Sequence, residues 1–288
     1  MSDDQRILTR FTGFDNGKHF LDPEWVREPT QMGVALDVET TGVNAQKDEI
    51  IELGLCFFMY DANDRIVSCG PGKSYYNQPA IPISEKITSL TGITNEMVAG
   101  HVLPIAEIEG LLMSASLIVA HNANFDRQFV ERYSTEAQKH PWACSMTEVD
   151  WTALGAPSKA LQACAWWHGF FFEGHRGDID CEALVKLLAD KPALASEPLF
   201  PQLIKSAREP GQRIWATNAP FGRKDDLSAR GYQWHNGDFG HQKAWYIDKA
   251  SAEEAAEEIA WLRADILPQG PDVTDLNATN RYSVRSFA

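Results

Sequence analysis

Between residue 33 and residue 120 the apolar positions of this chain follow strand-like and then helix-like spacings. Gly33–Val38 and Ile50–Met59 are apolar runs of strand length; Arg65–Val67 and the run ending at Tyr76 extend the block, with Asn63-Asp64 as a turn between the second and third. From Ile83 to Thr94 the spacing becomes that of a short helix, and Gly92 supplies its stop. Ile105–Met113 reads as a helix, Leu117–Ala120 as a short buried strand, and Asn124–Tyr133, Ser158–Trp167 and Asp180–Leu188 as further helices. Strands followed by alternating helix and strand predict an α/β domain over residues 29–192, with a mixed sheet flanked by helices.

The flanking segments have different patterns. Residues 1–28 lack periodicity but carry Phe11, Phe14, Phe20 and Trp25, the signature of an ordered arm packing on the main domain. Residues 193–212 are rich in Pro, Ser and Ala and read as a linker. Residues 213–267 form a small α+β module in this reading. Lys224–Arg230 is a helix stopped by Gly231, and the aromatic segments Tyr232–His235 and Ala244–Ile247 pair as a hairpin. Ser251 and Glu254 make a capping box that opens a helix with the stripe Ala255, Ile259, Leu262 and Ile266. Residues 268–288 read as a loosely held tail.

Composition narrows the class. A chain of 288 residues with 44% hydrophobic content can bury a substantial core. The polar start Met1-Ser2-Asp3-Asp4 does not resemble a secretory signal, and no apolar run reaches the length of a membrane span, so the expectation is a soluble, cytoplasmic protein with no membrane partner. Five scattered cysteines with no C-x-x-C pair fit a reducing compartment and argue against structural zinc. A net charge of −14 disfavours broad, non-specific duplex binding but leaves room for a narrow groove in which metals offset the repulsion. Residues 201–249 run the other way, with eight lysines and arginines against five acidic side chains. Their interleaved aromatics suit two readings, stacking on single-stranded nucleic acid or filling the core of a small domain.

The candidate chemistry begins at Asp37-Val38-Glu39-Thr40-Thr41-Gly42, at the end of the first apolar run. Strand side chains alternate faces, so Asp37 and Glu39 project from the same side a few ångströms apart. Burying two like charges that close is costly, and a divalent metal is the simplest compensation. A lone pair of acids at a strand end would otherwise be a solvated surface feature. Two further segments weigh against that. In Ile118-Val119-Ala120-His121-Asn122-Ala123-Asn124-Phe125-Asp126 a strand ends and a helix begins near a third carboxylate. In His175-Arg176-Gly177-Asp178-Ile179-Asp180 a histidine on a loop precedes the carboxylates that open the next helix. Four carboxylates and a histidine are the inventory of two-metal phosphodiester hydrolysis, in which cations clamp the phosphate and a histidine takes a proton from water.

These three ordered motifs resemble those of the DEDDh 3'–5' exonucleases, the family that includes the DNA polymerase III epsilon subunit and RNase T-like enzymes, over about Gly33 to Leu188. The resemblance implies a ribonuclease H-like, mixed five-stranded sheet. It implies that Asp37, Glu39, Asp126 and Asp180 hold two Mg2+ or Mn2+ ions and that His175 is the general base. A histidine in the third motif, with no tyrosine in its place, points to the DEDDh branch, and the family's interval selects Asp180 over Asp178. By the same likeness Thr40, Thr41 and Gly42, which also read as a simple turn, approach the terminal 3'-hydroxyl, and the Leu90–Thr94 segment, with Gly92 and Ile93, shapes the terminal-nucleotide pocket. Asn122, Asn124 and Phe125 line the substrate groove, although Asn124 equally suits a helix cap. His121 reads as a structural residue at the strand end. Of the pair Trp166-Trp167, one side chain suits the core and the other an exposed stacking or docking role. The implied substrate is the 3' end of single-stranded DNA or RNA, and the implied protein partner a DNA polymerase or another replication or repair protein. A non-catalytic nucleic-acid-binding or polymerase-accessory subunit on the same fold is the alternative.

Overall fold

In the computed structural model, which describes residues 7–14, 30–192, 195, 197–238 and 242–287, a two-residue strand β1 (Thr9–Arg10) precedes the long strands β2 (Gln31–Thr40) and β3 (Ile50–Tyr60). β3 is rich in β-branched and aromatic residues and is buried along nearly its whole length, while β2 carries the β-branched Val34, Val38 and Thr40. The short strands β4 (Ile66–Cys69) and β5 (Lys73–Tyr76) follow, and both pair antiparallel to β3. Three helices come next. In α1 (Glu85–Thr91) the Ser84 hydroxyl accepts the Ile87 N–H at the start, and Gly92, at φ 72°, ends the helix as expected. After α2 (Asn95–Val98) and α3 (Ile105–Leu112), β6 (Leu117–Ala120) enters the sheet parallel to β2. The helix α4 (Ala123–Val130) leads to β7 (Trp142–Cys144), parallel to β6. Then come α5 (Ser145–Glu148), α6 (Leu161–His168), β8 (Phe170–Phe171) and α7 (Gly177–Ala189).

The sheet order is β4-β3-β2-β6-β7, with β5 also on β3. This is the mixed sheet flanked by helices that the sequence predicts, but among the described residues it has six strands where five were expected. The added strand is β7, three buried residues behind Pro141, too short to show a period. The helix α7 packs on β2 and β3. Residues 7–14 run along β8, where the Thr9 and Phe11 N–H groups donate to the carbonyls of Gly169 and Phe171, and the Phe14 N–H donates to the buried carboxylate of Glu182 on α7 at 2.7 Å. Phe20 and Trp25 of the expected arm lie outside the described residues.

The chain divides into two compact units, Met1–Lys205 and Ser206–Ala288. Residues 193–212, expected as linker, hold the helix α8 (Leu199–Arg208), whose Phe200 is fully buried against the rings of Phe58 and Tyr60. Its apolar residues at helical spacing were masked in the sequence by the surrounding Pro and Ser. The second unit is built on a four-stranded antiparallel sheet of order β10-β11-β9-β12, from β9 (Gly211–Ala216), β10 (Gln233–His235), β11 (Ala244–Lys249) and β12 (Asp272–Leu276). With β12 paired to β9 from Asp272 to Leu276, the stretch expected as a loose tail holds a strand of the sheet. The helices α9 (Lys224–Ala229) and α10 (Ala252–Asp265) cover one face, where Ile214, Leu227, Tyr232, Ala255 and Leu262 form the core. The capping box is present, with the Ser251 hydroxyl accepting the Glu254 N–H at 3.2 Å. On the other face the Arg213 guanidinium lies 4.0 Å from the Phe287 ring centre and 4.7 Å from that of Tyr246, and is paired with Asp248. Most aromatics of this unit are therefore core, while Trp234 and Phe221 stay exposed.

Candidate active site

The carboxylates of the first motif stand where β2 outruns a neighbour. Pairing of β2 with β6 stops at Ala35 against Val119, so beyond that point β2 has a free polar edge. The Val38 N–H on this stretch donates to Asp126 Oδ1 at 3.1 Å, which brings the first turn of α4 against β2. On its other side β2 continues along β3, where Asp37 lies opposite Gly54 and Glu39 opposite Glu52. Residues directly opposite share a face, so Asp37, Glu39, Gly54 and Glu52 all look towards α7.

A glycine pair lets α7 come close. A Cβ on Gly54 would sit 2.1 Å from the carbonyl carbon of Gly177, and a Cβ on Gly177 would sit 2.9 Å from the Gly54 nitrogen. Backbone thus rests on backbone at the first residue of α7, and Asp180, in the first turn, arrives beside Asp37 and Glu39. His175 precedes this helix in a left-handed conformation, φ 67°, with Nδ1 4.0 Å from Glu39 Oε1. Asp180 Oδ2 accepts the Arg176 N–H at 2.9 Å and so caps its own helix.

Crowding and burial act on every acid in this group. Burial and then the charges of Asp126, Asp180, Glu39 and Glu52 push the Asp37 carboxyl well above the usual carboxylate range. Glu39 is pushed up to about 8 by burial and by Asp180, Glu52 and Asp126. Asp126 is raised by burial against the opposing hydrogen bond from Val38, and Asp180 by burial against the Arg176 N–H and His175. Among the described residues no lysine or arginine pairs with any of the four acids.

Hard oxygen donors carrying uncompensated negative charge are the donor set that Mg2+ and Mn2+ select, so the residues present fit such ions. The acids are neighbours but not a closed cage. Among the described residues no three His, Cys, Asp or Glu side chains already stand in ligating geometry, and Asp126 and Asp180 each turn one oxygen to a backbone N–H.

The structure brings Asp37, Glu39, Asp126, Asp180 and His175 together. Asp178 instead accepts the N–H of Ile179. Thr40 and Thr41 shape the turn after the first motif: the Thr40 hydroxyl donates to the Gly42 carbonyl at 2.6 Å, and the Thr41 hydroxyl meets Asp48 at 3.3 Å. A Cβ on Gly42 would strike the Asp48 carboxylate at 2.6 Å. Asn124 is an exposed residue inside α4 and not its cap, a position taken by Asn122 at φ 124°. Phe125 is half-buried on the Phe129 ring. Gly92 is open to its surroundings, but Ile93 is fully buried with Ile51, Ile83 and Val98 and has no surface to offer a nucleotide. Its apolar neighbours claim it for the core.

His121 is structural, as expected. Its Nε2–H donates to the Lys159 carbonyl and its Nδ1 accepts the Ser145 hydroxyl, each at 2.7 Å, while burial pulls its pKa down to about 4 and keeps the ring neutral. Glu52 was missed by the sequence reading. It is fully buried, accepts the Gly177 N–H at 3.1 Å and accepts the Ser74 hydroxyl. The available signal was an acid inside the apolar run Ile50-Ile51-Glu52-Leu53-Gly54-Leu55.

A family model described as Exonuclease (RNase T) matches residues 34–188, the segment that carries all five side chains. The DNA polymerase III PolC-type protein of Thermotoga maritima is 39% identical over 116 residues, covering 38% of this chain and 8% of that protein. The DNA polymerase III subunit epsilon of Treponema pallidum is 26% identical over 162 residues, covering 53% of this chain and 73% of that one. The chain thus spans less than a tenth of the length of the PolC-type relatives it matches. Among solved structures, Exonuclease X in complex with 5' overhanging duplex DNA aligns with a TM-score of 0.43 at 24% identity, over 55% of this chain and 89% of that one.

Proposed function

We propose, from the premise that this chain belongs to the Exonuclease (RNase T) family, that it is a DEDDh-type 3'–5' exonuclease releasing nucleoside 5'-monophosphates from single-stranded nucleic acid. The observation that carries the reading is the meeting of Asp37, Glu39, Asp126 and Asp180 in one buried, uncompensated group, with His175 4.0 Å from Glu39. Two Mg2+ or Mn2+ ions held by these four acids would supply Lewis acidity at the scissile phosphate and lower the pKa of a water. His175, half-exposed on its loop, is free to receive the proton from the attacking water. The turn Thr40-Thr41-Gly42, fixed by Asp48, presents backbone to the terminal 3' nucleotide beside the acids.

DNA is favoured over RNA because the relatives are named as DNA polymerase III proteins, and the same names support a polymerase or another replication or repair protein as partner. No helix among the described residues is long and apolar enough to cross a membrane, which suits a cytoplasmic enzyme. The test is degradation of 5'-labelled single-stranded DNA, RNA and mismatched duplex with Mg2+ or Mn2+, beside Asp37→Ala and His175→Ala. Shortening from the 3' end that needs the metal and both residues is the expected result. Activity that survives chelation, or that is equal in both variants and the parent, refutes the mechanism. Metal-independent binding without hydrolysis would favour a non-catalytic accessory subunit.

A further inference from the structure

We propose that Glu52 is a positioning residue for His175, an inference that rests on the exonuclease reading above. His175 sits at φ 67°, a left-handed backbone that a non-glycine residue adopts at a cost and keeps only when its surroundings impose it. The two residues that follow are held from two sides. Asp180, on α7 itself, takes the Arg176 N–H. Glu52, from β3, takes the Gly177 N–H at 3.1 Å and lies 3.5 Å from the Arg176 Nε.

Glu52 is itself fixed. It is fully buried, its second oxygen accepts the Ser74 hydroxyl from β5, and Arg176 is tied to the same strand by its bond to the Tyr76 hydroxyl at 2.8 Å. The clamp therefore joins the β3–β5 pair to the start of α7. It fixes the step from which the His175 side chain leaves towards Glu39. A carboxylate in this place does with reach and acceptor geometry what the Gly54–Gly177 contact does with shape. Neither role requires Glu52 to touch metal or substrate.

Two conservative variants separate positioning from charge. Glu52→Gln keeps a carbonyl acceptor at full reach and loses the charge; Glu52→Asp keeps the charge and retracts it by one methylene. Positioning predicts that Glu52→Asp lowers kcat by about 10²-fold, the scale of a small misplacement of a reacting group, with KM little changed. Glu52→Gln loses a few-fold at most. In the His175→Ala background Glu52→Asp costs nothing further, because the group it places is gone. Amide exchange at Gly177 accelerates in Glu52→Asp and not in Glu52→Gln.

The opposite order, with Glu52→Gln the slower enzyme, overturns the proposal in favour of a charge or ligand role. So does a loss that multiplies with His175→Ala, or unchanged exchange at Gly177 in Glu52→Asp. Should the parent protein show no nuclease activity, the function fails, and the exchange contrast still decides whether Glu52 holds the Arg176–Gly177 step.

Discussion

At the scale of single residues, the site is defined by carboxylates that repel one another. Asp37 is the most burdened, raised by burial and by four neighbouring acids. Asp37→Asn is therefore expected to abolish hydrolysis and, in chelator at alkaline pH where the acids are ionised, to raise the melting temperature, because it removes one charge from the cluster. Calorimetry in EDTA checks the second half; a lower melting temperature would show that Asp37 is already compensated. His175→Ala is expected to lower kcat by about 10²- to 10⁴-fold, the range of a lost general base, and to leave Mn2+ affinity in place. The five motif residues were legible because their types and order are unusual in an apolar context. Glu52 was not, since one acid within a strand carries no spacing signal, and only tertiary contact reveals what it holds. Ile93 was misread for the converse reason: the family resemblance places its segment at a pocket, but its neighbours in space are core.

At the scale of elements, β2, β3, β6 and α4 were readable from periodicity, and α7 nearly so, beginning at Gly177 instead of Asp180. What periodicity could not give was β7, three residues long, and the pairing of β12, whose Asp272-Val273-Thr274-Asp275 reads as surface because it is a half-exposed edge strand. The crossing of β3 and α7 was equally hidden, since two glycines 123 positions apart announce nothing in sequence. Gly54→Ala tests it. The added methyl would meet the Gly177 carbonyl carbon at 2.1 Å, and backbone cannot swing aside as a side chain can. The expected outcome is a stability loss of about 1–3 kcal/mol by denaturant titration. A fall in kcat of roughly 10²-fold should accompany it as α7 and its Asp180 and His175 shift. Parent-like activity would mean that α7 is not the element that sets the site.

At the scale of the whole molecule, the acid cluster links stability to pH and metal. Glu39 has an ordinary value of 4.5 and is raised to about 8 in the folded chain, and Asp37, Asp126 and Asp180 are raised in the same direction. A carboxyl raised on folding binds its proton more tightly in the native state, so its contribution is fully present below the unfolded value and is lost as pH rises through the folded one. The melting temperature of the metal-free protein is thus expected to fall between pH 4.5 and about 8. Mg2+ or Mn2+ should restore it, with a larger increment at pH 8 than at pH 5, because ions bind the ionised acids. Thermal scans at both pH values with and without EDTA make the comparison; an equal increment at the two would place the bound ion elsewhere. The overall charge of −14 left room for such a metal-linked groove, but composition could not say which acids are buried.

The meeting of β3 with the start of α7 has one more consequence, in the order of events during folding. Glu52 and Gly177 are 125 residues apart in the chain, and contacts at that separation close late because the intervening segment must first be ordered. The first two acids are laid down early in synthesis, but the fourth and the histidine reach them only once the strand order of the sheet is complete. A nascent or partly folded chain therefore lacks the assembled acid group, and a local detachment of α7 would remove Asp180 and His175 from it while the sheet stays intact.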